Sequence, residues 1–239
     1  LAAAIVAALL VGCAGHRHAA QPDALPKREA TPAEFRQLLA ERPEVGPYRA
    51  LVTFDVSRGG RSGRVKGTVR YTPPRTFEVR GLDPLGGDLF VLNAEGEHVT
   101  LRRDDQSVLV GTETIEHELA PWMGSLRVTD VLRVLGASHG VALDPLQPAA
   151  LERGDDRYIL YVLVLDGDNT RLERKIAFER TRFLPVREEW FDPNGSSQTR
   201  VEFDQYREVG GAWRPYFVSA AGEAGTLRIE YHELAFDPS

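Results

Sequence analysis

The chain has 239 residues, with 29 Lys and Arg against 35 Asp and Glu for a net charge of −6, 42% apolar residues and one cysteine. That balance leaves no basic footprint for nucleic acid. The lone cysteine excludes an internal disulfide and any metal site built from several thiolates.

Leu1 to Gly12 carries no charge and reads as the apolar core of an export signal, too short for the roughly 20 residues of a membrane-spanning helix. It ends in Leu10-Val11-Gly12-Cys13, which resembles the lipobox of bacterial lipoproteins. The resemblance implies cleavage before Cys13 and acylation of that cysteine; an ordinary signal peptide with a chance cysteine is the plainer alternative. Two or more acyl chains, each contributing about 0.8 kcal/mol per buried CH2, would anchor the protein stably. Residue 14 is Ala, whereas an Asp there commonly retains lipoproteins of Gram-negative bacteria at the inner membrane, so the resemblance implies the outer membrane. No later segment is apolar for long enough to span a bilayer.

Residues 13–30 mix Gly, His, Pro, Ala and charges without periodicity, as a flexible tether would, and the remainder to residue 239 reads as a single domain. Thr31-Pro32-Ala33-Glu34 has capping-box spacing with proline at the first helical position, and Phe35, Leu38 and Leu39 share one face, predicting a short amphipathic helix that ends before Pro43. From Tyr48 the period changes to two. Strands are predicted at 49–56 and 64–71, joined through Arg58-Gly59-Gly60-Arg61-Ser62-Gly63, then at 76–81, 88–93, 98–103 and 107–110.

Helical periodicity returns between about Thr114 and Gly140: Val128, Val131, Leu132 and Leu135 fall at i, i+3, i+4 and i+7 before Gly136, an apolar stripe that must lie on something. Strands resume at 158–165, 172–179, 184–191, 199–206, 215–219 and 226–232, with turns at Asp166-Gly167-Asp168-Asn169 and Asp192-Pro193-Asn194-Gly195. About twelve strands in hairpin order with a helical insertion predict one strongly curved antiparallel sheet, mainly β, with a helical lid. Alternation nominates Leu51, Phe77, Val79, Leu89, Val99, Leu101 and Ile176 for its apolar concave side.

Three stretches are similar to the LolA/LolB superfamily of lipoprotein localisation factors. They are Phe77 to Leu92, with Pro84-Leu85-Gly86 in a loop between strands; the helix before Gly136; and Leu184 to Gly195, followed by Val201 to Tyr206 and Trp213-Arg214-Pro215. The resemblance implies an unclosed half-barrel with a helical lid and an apolar interior for acyl chains. It also implies that Leu85 projects from the barrel to help deliver cargo into a membrane; alternatively Leu85 is a turn leucine packed on a neighbouring strand. The C-terminal half is longer than in LolB, as in a branch that kept the container and changed the cargo.

No constellation of catalytic groups converges in the sequence, so no enzyme, cofactor or metal is expected. His117-Glu118 lacks a second histidine at zinc-protease spacing, Ser138-His139 is adjacency rather than a dyad, and the Asp166 turn lacks the remaining ligands of a calcium loop. The expected function is a membrane-anchored carrier or receptor at the periplasmic face of the outer membrane. Its partners would be a lipid or acylated lipoprotein and a periplasmic carrier protein. A sensor or assembly module binding a protein partner, or a structural envelope lipoprotein with a self-filled core, are the alternatives.

Overall fold

The computed structural model describes residues 25–236 apart from 43–44, 59, 75, 97, 104–105, 110–133, 137–146, 168 and 223–224. One helix, α1 (Pro32–Ala40), precedes β1 (Tyr48–Arg58), β2 (Arg61–Thr72), β3 (Thr76–Leu82), β4 (Asp88–Glu95), β5 (His98–Arg103) and β6 (Gln106–Leu109). After the segment containing the lid prediction come β7 (Ala149–Arg153), β8 (Arg157–Asp166), β9 (Asn169–Glu179), β10 (Pro185–Phe191), β11 (Ser197–Val209), β12 (Ala212–Gly222) and β13 (Gly225–Phe236).

The thirteen strands among the described residues form a single antiparallel sheet in the order β6-β5-β4-β3-β2-β1-β13-β12-β11-β10-β9-β8-β7. The chain starts at the centre of the sheet, steps outward by hairpins to β6, resumes at the opposite edge in β7, and steps back until β13 zips onto β1 from Tyr48↔Phe236 to Ser57↔Thr226. Strands β6 and β7 stand at the two ends of this order rather than beside each other, so the sheet is an unclosed half-barrel.

Each wing takes its shape from alternation. In β3 the inward Phe77, Val79 and Gly81 are buried while their neighbours are partly exposed. Two glycines let the N-terminal wing curl: a Cβ on Gly67 would lie 2.2 Å from the Arg80 carbonyl oxygen, and one on Gly81 would lie 2.3 Å from the Phe90 ring. They share one cross-strand row, Gly67↔Gly81↔Phe90, where any larger side chain would force the strands apart.

Helix α1 begins as the capping box requires, with the Thr31 side chain accepting from the Glu34 N–H and the Glu34 carboxylate accepting from the Thr31 N–H at 2.7 Å. Its buried Phe35 and Leu39 pack on Tyr158, Leu160, Val162, Ile176, Phe178 and Phe183 of the C-terminal wing. Phe35 makes ring contacts at 5.5, 5.0 and 5.4 Å with Tyr158, Phe178 and Phe183.

The structure departs from the sequence reading in four places. Strand β7 is additional: Ala149-Ala150-Leu151-Glu152-Arg153 has a helix-favouring composition, and it is a strand because β8 offers it an edge. The β1–β2 connection is shorter than expected, since pairing continues to Arg58↔Arg61. The tether predicted to reach residue 30 does not. The Arg28 N–H donates to the Arg180 carbonyl at 2.7 Å, Lys27 pairs with Asp156 at 2.5 Å and the Ala30 N–H donates to the Tyr158 hydroxyl at 2.9 Å, so tertiary contacts fix residues 27–30 on the body. Finally, Leu51 faces outward. It sits between Thr68 and Glu233 and is 37% exposed, because Ala50, Val52 and Phe54 form the better apolar set and only one parity can point inward.

Candidate functional site

Directly opposed residues share a face, so the registers trace the concave surface row by row. On the N-terminal wing, Val69↔Val79↔Leu92↔Leu101 form one row and Tyr71↔Phe77↔Ala94↔Val99 the next, all buried. On the C-terminal wing the row is Leu160↔Ile176↔Glu188↔Val201↔Ala220↔Leu227. Phe77, Val79, Val99, Leu101 and Ile176 thus all lie on the inner face, and Leu89 is partly buried against the same core.

Residues 134–136 are helical, and Val134 and Leu135 are buried in the apolar cluster formed by β1 to β5 and β11 to β13. Of the predicted lid stripe only Leu135 lies among the described residues, and Val134 beside it, which that stripe did not include, is buried too. Val128, Val131 and Leu132, like Cys13, His117 and the Ser138-His139 pair, lie outside the described residues. The inner side chains are covered by one another, by Val134 and Leu135, and over β8 and β9 by Phe35 and Leu39 of α1. A guest chain could enter only if the cover moves.

Leu85 stands at the tip of the β3–β4 loop and is 97% exposed, not packed on a neighbouring strand. The Asp83 carboxylate accepts from the Leu85 and Gly87 N–H groups at 2.7 and 2.8 Å, and Gly86 supplies φ of 90°, so the turn is held by its own backbone while the leucine projects outward. The Asp166 and Asp192 turns close hairpins as expected. Asp166 opposes Asn169, and the Asp192 carboxylate accepts from the Asn194 and Ser196 N–H groups, both at 2.8 Å.

Polar groups on the inner face were missed by the sequence reading. Glu188 is 2% exposed and pairs with Arg174 at 3.2 Å, and the Arg174 guanidinium lies 4.8 Å from the Trp190 ring centre. Strand parity with Trp190 puts Glu188 inward and was a usable signal. At the end of the half-barrel nearest α1, Arg214 and Arg42 come within electrostatic reach of each other and of Tyr206, and Arg214 also of Tyr48 and Tyr71. Burial depresses both guanidinium pKa values, opposed at Arg42 by Tyr206 and the Glu179 carboxylate and at Arg214 by the three tyrosines. Burial raises the Tyr206 phenol well above its ordinary value, so its hydroxyl stays protonated and donates to the Pro185 carbonyl at 2.6 Å. Among the described residues, no cluster of three or more His, Cys, Asp and Glu could hold a metal ion, and no helix is long and apolar enough to cross a membrane.

No protein-family model matches the chain, and no curated protein does. Solved structures do match. A LolA superfamily protein from Nitrosomonas europaea superposes with a TM-score of 0.61 at 11% identity, over 88% of this chain and 96% of that one. A putative outer membrane lipoprotein-sorting protein domain from Vibrio parahaemolyticus gives 0.62 at 11% identity, over 86% and 92%. A DUF1329 family protein from Desulfovibrio piger gives 0.59 at 13% identity, over 86% and 90%. The chain has the LolA/LolB-like fold. At these identities the likeness establishes architecture, and function has to be argued from the site.

Proposed function

We propose that the protein is a non-enzymatic carrier or receptor that takes an acyl chain of a lipid or lipoprotein onto the concave face of the half-barrel. It would work at the periplasmic face of the outer membrane, anchored by lipid on Cys13. The observation that carries this reading is the continuous apolar cluster over β1 to β5 and β11 to β13, into which Val134 and Leu135 pack from the segment that joins the two unpaired ends of the sheet. Such a cover can leave without breaking a strand ladder. Moving a 16-carbon chain from water to such a face gains roughly 12 kcal/mol, at about 0.8 kcal/mol per CH2, but moving it from another apolar cavity gains little. That near-balance makes transfer reversible. Leu85, exposed at the opposite end from α1, is suited to touch a membrane or a periplasmic carrier during hand-over.

The test is native mass spectrometry with lipid extraction on the chain from Ala14 onward, exported to the periplasm and purified without detergent. Co-purifying lipid or acylated peptide, lost in Leu135→Asp while the far-ultraviolet circular dichroism is unchanged, is the expected result. A lipid-free protein that takes up no acyl probe would make Val134 and Leu135 permanent core and leave a structural envelope protein or a protein-binding module.

A further inference from the structure

Three charged residues are buried among those described: Arg180, Glu188 and Arg214. Two have counter-charges. Arg180 pairs with Glu29 and donates to the carbonyls of Gly154 and Asp155, and Glu188 pairs with Arg174. Arg214, 8% exposed, has neither: its Nε finds no hydrogen-bond partner, and no carboxylate among the described residues pairs with it. Instead the groups within electrostatic reach of it are the phenols of Tyr48, Tyr71 and Tyr206 and a second cation, Arg42.

Burying a guanidinium beside a like charge without an anion is unfavourable, and natural cores avoid it. The nearby groups do not relieve it. The Arg42 guanidinium donates to the Phe183 carbonyl, and the Glu179 carboxylate is taken by the Thr181 hydroxyl and by the N–H groups of Thr181, Arg182 and Leu184. The Tyr206 and Tyr71 hydroxyls donate to the Pro185 and Pro74 carbonyls at 2.6 and 3.0 Å. A buried guanidinium whose Nε–H lacks an acceptor therefore stands without a carboxylate, within electrostatic reach of Tyr71 at the start of the Tyr71↔Phe77↔Ala94↔Val99 row.

We propose that Arg214, assisted by Arg42, is an anion site for the headgroup of the cargo, so that the chain on the concave face belongs to an amphiphile ending in carboxylate or phosphate oxygens. This rests on the carrier reading above and adds the class of cargo to it. The head sits at the α1 end against Arg214, and the tail runs along the apolar rows under Val134 and Leu135.

The experiment is calorimetric titration of the chain from Ala14 onward, which retains every contact described, with dodecanoate, its methyl ester and inorganic phosphate. Dodecanoate is expected to bind about tenfold or more tighter than the ester, and Arg214→Gln to erase that preference while leaving the ester unchanged. Arg42→Gln should reduce the preference by a smaller factor, and it decides the matter should Arg214→Gln fail to fold. Arg214→Leu should raise the urea midpoint of the ligand-free protein, because an unpaired buried charge is removed; a purely structural arginine would move it down. Equal affinity for acid and ester, or a preference that survives both glutamine variants, overturns the anion site and leaves the carrier reading standing. Inorganic phosphate binding with the affinity and Arg214 dependence of dodecanoate would make this a free-anion site and overturn the headgroup assignment. If neither amphiphile binds, both readings fall.

Discussion

The two wings of the sheet are built by the same hairpin rule but have different inner faces. From β1 to β5 the inner face is apolar apart from the hydroxyls of Tyr48 and Tyr71, with glycines where the wing curls, and Val134 and Leu135 pack into the same cluster. From β8 to β12 the inner face carries Glu188, Thr199 and Arg214, α1 packs on its β8–β9 part, and residues 27–30 are tied to the adjoining residues Asp156, Tyr158 and Arg180. Dispersion and burial are non-directional, so an apolar face can exchange one cover for another. Buried ion pairs and ring contacts are directional and hold one geometry. The N-terminal wing is suited to accommodate a guest and the C-terminal wing to stay rigid around it.

The largest expected effect is on the rigid side. Phe35→Ala removes the ring that joins α1 to Tyr158, Phe178 and Phe183 and should cost about 4 kcal/mol in urea unfolding. A loss below about 1 kcal/mol would mean that α1 is not part of the frame. Glu188→Gln removes the charge that faces the part-buried Arg174 and should cost about 3 kcal/mol, whereas Glu188→Leu combined with Arg174→Met should recover most of it. No recovery in the double variant would show that the pair does not act as a unit.

On the adaptable side, Leu135→Ala should cost about 2 kcal/mol, and in hydrogen exchange the lost protection should fall on β4 and β5 while β8 and β9 keep theirs. Loss spread evenly over both wings would erase the distinction between them. A smaller effect concerns pH at the β9–β10 turn. Burial acts to raise the Glu179 pKa, but its hydrogen bonds from Thr181, Leu184 and Arg182 outweigh that and hold the carboxyl below its ordinary value. A depressed folded-state pKa contributes stability in full above the unfolded value of about 4.3, and that contribution disappears as pH falls through the folded value. Glu179→Gln should therefore flatten the acid limb of the stability curve below about pH 4.3; identical limbs in variant and parent would refute this. The smallest change in stability is expected for Leu85→Ser, within about 0.5 kcal/mol because nothing packs on that side chain, together with weaker adsorption to lipid vesicles if the loop touches membranes.

Sequence alone was enough for twelve of the thirteen described strands, the capping box of α1, the hairpin turns at Asp166 and Asp192, and one curved antiparallel sheet. Those features are encoded locally, in alternation, in a Thr-Pro-x-Glu start and in turn residues whose backbone preferences hold in any context. Tertiary structure decided the rest. Strand β7 exists because β8 presents an edge to residues that would otherwise favour helix. Leu51 turned outward because the strand had to choose between two parities, and residues 27–30 lie down because Arg180 and Asp156 are folded into place beneath them. That Arg214 points inward followed from its parity with Tyr216 and Val218; that it arrives there without a counter-charge depended on side chains from five separate segments meeting in space, which no local pattern specifies.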